Sequence, residues 1–171
     1  MRRKLKNKRA EAKIANITAV SLIDSDLPKR LKFNFSYLSS TPKDAYAFDQ
    51  LSEKQLIDFL VKISAFCKTS FVHWEKKPIG GGGKKSKSRG KVIANYGDYP
   101  ERSRKHFPEP TYIPENVHWK RFRLEGDFRL IGFMIPPSLH NTPHKSEFHF
   151  DKNTFYAVFI DPTHKFSPTS K

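Results

Sequence analysis

Seven side chains in the last third of the sequence have the types needed to grip and work on a phosphate: Lys120, Arg121, Arg123, Arg129, Tyr156, His164 and Lys165. A guanidinium binds phosphoryl oxygens through a planar fork, and positive charge aimed at a pentavalent phosphate stabilises it. An imidazole or phenol beside such charges can move protons. Arg129, His164 and Tyr156 are therefore the candidate catalytic set. Lys120, Arg121, Arg123 and Lys165 are candidate nucleic-acid contacts. These groups are expected to converge on one exposed surface. Strand alternation puts Arg121 and Arg123 on one side, and Arg129 lies just across a turn. An ordinary solvated face opposite a buried one is the plainer reading of the same pattern.

Two further basic stretches lie outside that third. Residues 1–13 hold seven Lys or Arg, with Arg2, Arg3 and Lys4 at the start. Pro78 leads into four consecutive glycines and then five cations in eight residues: Lys84, Lys85, Lys87, Arg89 and Lys91. The run lacks the in-frame Gly-x-x-x-x-Gly-Lys-Ser/Thr of a phosphate-binding loop, and no strong strand leads into it. It reads as a flexible basic loop that meets phosphates through charge. His140, His144 and His149 are close enough in sequence to suggest zinc. Pro136, Pro137 and Pro143 argue against a helix that would align them, and no Cys lies near them. No metal or other cofactor is expected.

The elements that must position these groups follow from periodicity. Leu31, Phe33, Phe35 and Tyr37 alternate as one face of a strand over 31–37. Ser52 and Gln55 make a capping box, with Leu51 and Leu56 in the staple positions. Leu56, Phe59, Leu60, Ile63, Phe66 and Cys67 then recur on one helical face, which predicts a helix over 52–68 covering a sheet. Phe71 to Trp74 reads as a brief strand and 95–116 as extended loop. Strands over 119–124 and 128–135 are joined by a tight turn at Gly126-Asp127, and 154–160 supplies a nearly all-apolar central strand. The expected architecture is α+β: a mainly antiparallel, four- to five-stranded sheet covered by one principal helix. Residues 1–13 form a basic arm, and 14–171 a single domain carrying the flexible Gly/Lys-rich loop at 78–91.

Charge narrows the function classes. Thirty-two Lys and Arg against seventeen Asp and Glu leave a formal charge of +15 on 171 residues. Such an excess repels itself in a compact fold and points to a polyanionic partner. The single Cys67 excludes an intramolecular disulfide and a Cys-cluster zinc site. No apolar run is long enough to span a membrane, and the basic N-terminus has no apolar core of a secretory signal behind it. A cytoplasmic protein with no membrane partner is expected.

Arg129-Leu130-Ile131-Gly132-Phe133, then Phe155-Tyr156-Ala157-Val158-Phe159 and the basic-aromatic tail His164-Lys165-Phe166, resemble the closing meander of RelE/ParE-type toxins. The resemblance is confined to this C-terminal part. It implies a ribonuclease cutting messenger RNA on the ribosome, with Arg129 opening the middle strand and His164 as a late acid/base residue. It also implies an acidic antitoxin as partner. The residues themselves favour nucleic-acid binding, and RNA over DNA. No helix-turn-helix or zinc finger is visible, and interleaved aromatics suit unpaired bases. The alternative is a non-catalytic structural or assembly protein whose basic tails dock a ribonucleoprotein or an acidic partner protein.

Overall fold

A computed structural model of the chain describes residues 21–78 and 91–167. The basic arm at 1–13 and residues 79–90 of the Gly/Lys-rich loop lie outside the described residues. Five strands form one sheet: β1 (Lys32–Asn34), β2 (Ile93–Gly97), β3 (His118–Arg123), β4 (Arg129–Met134) and β5 (Thr154–Asp161). Their spatial order is β1-β5-β4-β3-β2. Strands β2 to β5 pair antiparallel, while β1 runs parallel to β5. The sheet is therefore mixed: three of its four pairings are antiparallel, in keeping with the mainly antiparallel sheet expected, and the β1–β5 pair is parallel. Period-2 alternation is the same in both pairings, so partner and direction had to come from tertiary contacts.

Helix α1 (Glu53–Cys67) opens as the capping box predicts. The Ser52 hydroxyl accepts from the Gln55 amide at 3.3 Å, and the Gln55 carbonyl oxygen accepts from the Ser52 amide at 2.9 Å. Its inward stripe is Leu56, Phe59, Ile63 and Phe66. Leu60, expected on that stripe, is exposed beside Ile57 and Val61. Phe71 to Lys76 form a second short helix, α2, where a brief strand was expected. The Ser70 hydroxyl caps it, and the Trp74 indole N–H donates to the Phe66 carbonyl at 2.9 Å, fastening it to the end of α1. A four-residue apolar run carries too little periodicity to separate the two states.

The first strand is also shorter than its alternation suggested. The Asn34 side chain accepts from the Ser36 amide at 2.8 Å, and this Asx turn ends β1. Leu31, Phe33 and Phe35 stay on the helix side. Tyr37 passes to the other face and packs edge-on against Phe133 and Tyr156 at 5.2 and 5.9 Å. Strand β2 falls partly inside the segment read as loop. It is an edge strand with one fully buried residue, Ile93, and a bulge before Gly97.

Two cores result, one on each sheet face. The helix side joins Phe59, Phe66, Phe71, Phe122, Leu130, Phe155 and Ile160. Among the described residues the other side has no α-helix. Ala45, Tyr99, Phe107 and Phe166, from irregular segments, cover Trp119, Ile131, Phe133 and Phe159 there. Gly132 sits between the layers at a register shift, where a Cβ would collide with the Tyr156 carbonyl and the Phe155 ring.

Candidate anion-binding site

Strand register decides which cations meet. Arg123 lies directly opposite Arg129, and Arg121 lies opposite Ile131, so all three arginines share the loop-covered face. Like charges facing each other across a ladder are unfavourable by themselves. The third strand brings Asp161 opposite Arg129.

Asp161 builds the rest of the site. It is fully buried, and its carboxylate accepts three backbone amides: Thr163 at 3.1 Å, Lys165 at 3.2 Å and Phe166 at 2.8 Å. These bonds fold residues 162–166 back over the end of the sheet. His164 takes a positive φ of 57° in the bend, and Phe166 drops into the second core. The imidazole Nε2 is thereby set 2.6 Å from Nη1 of Arg121, which also reaches the Ser167 carbonyl at 3.5 Å. A guanidinium can only donate, so Nε2 is the acceptor and the ring proton belongs on Nδ1. Burial, then the charges of Arg129 and Arg121, hold the imidazole below its ordinary range; Asp161 and Asp127 oppose this in part.

Arg129 is buried, 2% exposed. Its Nη1 donates to the carbonyls of Gly126 at 2.7 Å and Phe128 at 2.9 Å, which clamps the β3–β4 turn. Burial, followed by repulsion from Arg121 and Arg123, pushes its pKa down to about 10. The Nε atoms of Arg121 and Arg129 are buried without a hydrogen-bond partner. Among the described residues, Arg121, Arg123 and Arg129 have no carboxylate within ion-pair distance. The arrangement is a cationic corner, short of acceptors, with a neutral imidazole at its edge.

The other predicted residues are distributed differently. Lys120 is not on this surface: it lies opposite Gly132 on the helix side, 5% exposed, because the residue next to Arg121 must point the other way. Tyr156 pairs with Phe133, and four positions of β4 at about 3.4 Å each put it roughly 14 Å from Arg129. It stacks on Phe133 at 5.0 Å, and burial, then Tyr37 and Asp151, raise its pKa. Arg129, His164 and Tyr156 thus do not form one catalytic set. Lys165 is held by Asp44 at 2.5 Å, and the same carboxylate takes His106 at 2.8 Å. Lys91 is exposed and pairs with Pro78 as an isolated bridge at the base of the Gly/Lys run. Arg2, Arg3, Lys4, Lys84, Lys85, Lys87 and Arg89 lie outside the described residues.

His140, His144 and His149 stay in the β4–β5 connection. There His144 Nδ1 meets the Ser146 hydroxyl at 2.7 Å, and His140 Nδ1 accepts from the Lys152 amide at 3.4 Å. Among the described residues no three His, Cys, Asp or Glu side chains are placed to hold a metal. No helix among them is long and apolar enough to cross a membrane. Asp161 is the residue that sequence reasoning missed as part of the site. Its signal is Asp-Pro directly after a strand, an Asx-turn pattern that looks like an ordinary strand end.

The fold and site define an α+β protein with an arginine-rich corner on the sheet face opposite α1. No family model, curated protein or solved structure matches the chain.

Proposed function

We propose that the protein binds nucleic acid, RNA in preference to DNA, and that Arg121 and Arg123 contact phosphates at this corner. The observation that carries the reading is the convergence of three arginines and His164 with no carboxylate at ion-pair distance among the described residues. An acceptor from outside relieves both the cross-strand repulsion and the unmet donors. Arg129, buried and committed to two turn carbonyls, positions the corner rather than meeting the ligand. The formal charge of +15 supplies long-range attraction to a polyanion.

The ribonuclease version suggested by the toxin resemblance would run through Arg121 and His164, which like Arg123 are only half-buried and remain partly accessible. A neutral imidazole can take the proton of an attacking hydroxyl once a phosphate displaces Arg121 from Nε2. The ribosome as the site of action and an acidic antitoxin as partner belong to the same version.

The test is binding and cleavage of labelled single-stranded RNA, with and without ribosomes, by wild type, R121Q/R123Q and H164A. Binding should weaken linearly in log–log salt, with a slope shallower by about two units in R121Q/R123Q. A flat salt response, or an unchanged slope in the double variant, overturns this reading. Cleavage lost in H164A with binding retained would add catalysis.

A further inference from the structure

Lys120 lines a separate site on the opposite face of the sheet. A cleft of about 320 Å³ opens between α2, β2, β3 and the end of β4 with the segment that follows it. Phe71, Met134 and Ile135 supply apolar wall, and Asn95 and Glu75 supply polar groups. The Lys120 side chain is 7% exposed and lies over the Phe71 ring, Nζ 5.0 Å from its centroid. Its nearest acid, Glu75, is 3.8 Å away, beyond hydrogen-bond reach. Among the described residues Nζ has no hydrogen-bond acceptor, although an ammonium carries three protons to donate.

Nζ still touches solvent, but holding an ammonium in so apolar a wall with so little compensation is costly. The burial pulls the pKa of Lys120 down, and Glu75 restores only part of it. A packed core would have a Met or Leu here, so the cation and the open space beside it need a common explanation.

We propose that this cleft binds a small monocarboxylate with an apolar body, the carboxylate on Lys120 and the hydrocarbon against Phe71, Met134 and Ile135. One ammonium deep in the cleft matches one negative charge. Phosphate is a poorer fit: Glu75 repels a dianion, the other basic side chains of the cleft, His118 and Lys152, are only half-buried, and phosphate has nothing to place on the apolar side. The volume is at the small end of ligand sites, which restricts the body to a ring or short chain. This proposal is independent of nucleic-acid binding, which uses the other face.

Met134 gives a direct reporter, because Met1 is the only other methionine. The full chain, labelled with ¹³C at its methionine methyls, is titrated with benzoate, benzyl alcohol and inorganic phosphate in wild type, K120M and E75Q. Benzoate should shift the Met134 resonance saturably and bind at least tenfold more tightly than benzyl alcohol or phosphate. That preference should vanish in K120M, a loss of about 1.4 kcal/mol per tenfold. E75Q should tighten benzoate binding. Equal affinity for the acid and the alcohol, tighter binding of phosphate, or no saturable shift overturns the proposal. An unchanged benzoate affinity in K120M also overturns it. If K120M does not fold, E75Q decides: tighter binding supports the site, and unchanged or weaker binding rejects it.

Discussion

Lys120 and Arg121 are neighbours on one strand, yet the molecule treats their charges in opposite ways. Lys120 faces the helix-covered layer, where it finds a phenyl ring and one distant carboxylate. Arg121 faces the layer covered by irregular chain, where it finds an imidazole and a carbonyl, beside two more arginines. The difference follows from what covers each face. A helix spends its interior carbonyls on its own amides and offers a buried cation nothing. Turns and loops leave carbonyls unspent, and Gly126, Phe128 and Ser167 lend theirs to Arg129 and Arg121. The loop-covered face can therefore concentrate positive charge, while the helix-covered face tolerates a single cation at its edge.

The largest expected effect comes from a change that strikes both faces together. Gly132 lies between the layers, and G132V drives a branched side chain into the Tyr156 backbone and the Phe155 ring. The β4–β5 ladder must separate, and we expect a loss of about 4 kcal/mol or failure to fold. Urea denaturation with the Met134 methyl as probe measures it. Near-native stability would mean that the close approach of β4 and β5 is wrong, and with it the register that divides the cations.

Second in size is D161A, which is aimed at one face. It removes the acceptor of three amides and a nearby negative charge for Arg129. A loss of about 3 kcal/mol is expected, in line with charge-assisted bonds of about 1.5–3 kcal/mol that overlap rather than add. RNA affinity should fall as well, because His164 loses its fixed place beside Arg121. Benzoate binding at Lys120 should be unchanged. If D161A disturbs both sites equally, the two faces are not independent.

These two residues also show what sequence could and could not reveal. Helix α1 was legible almost to the residue, since the Ser52–Gln55 box and the stripe from Leu56 to Phe66 are local signals. The three C-terminal strands were legible for the same reason, being alternating runs joined by a turn at Gly126. The parallel pairing of β1 was not, because direction leaves no mark on alternation. The site was half legible. Arg121, Arg123, Arg129 and His164 were identified by type and do come together. Lys120 was grouped with them although alternation alone assigns it to the other face, and Tyr156 was grouped with them although it lies several residues up the strand. Asp161 was hidden because its bonds come from amides two to five residues later, and a strand-ending Asp-Pro reads the same whether the chain folds back onto it or runs on.

A third test sets the two buried cations against each other. K120M replaces a poorly compensated ammonium with a side chain suited to its apolar wall, and should stabilise the protein by about 1 kcal/mol. Lys120 has a depressed pKa, so the cost of keeping it charged is fully present at neutral pH and disappears only in alkali. R129M breaks two charge-assisted bonds to the turn carbonyls and should destabilise by about 1–2 kcal/mol, even though it relieves repulsion with Arg123. Opposite signs are the expected outcome. Two stabilising changes would show that loop carbonyls do not compensate Arg129, and the contrast between the faces would then be one of exposure alone.

The smallest effect, and the finest probe of the arginine corner, is the pH response of His164. Its pKa is depressed in the folded protein by burial and by Arg129 and Arg121. The unfolded chain, with an ordinary pKa of about 6.5, therefore binds the proton more readily. His164 leaves stability intact above that value and subtracts from it as pH falls through 6.5 toward the folded pKa. The difference in urea midpoint between wild type and H164Q should accordingly change between about pH 7.5 and about pH 5.5, with wild type losing more. RNA binding should respond in the opposite sense, because a phosphate seated on Arg121 and Arg123 favours the imidazolium, so acid should tighten wild type more than H164Q. Stability and affinity moving apart as pH falls is what a corner built to receive an anion requires. Loss of both together would mean that the imidazole only supports the fold.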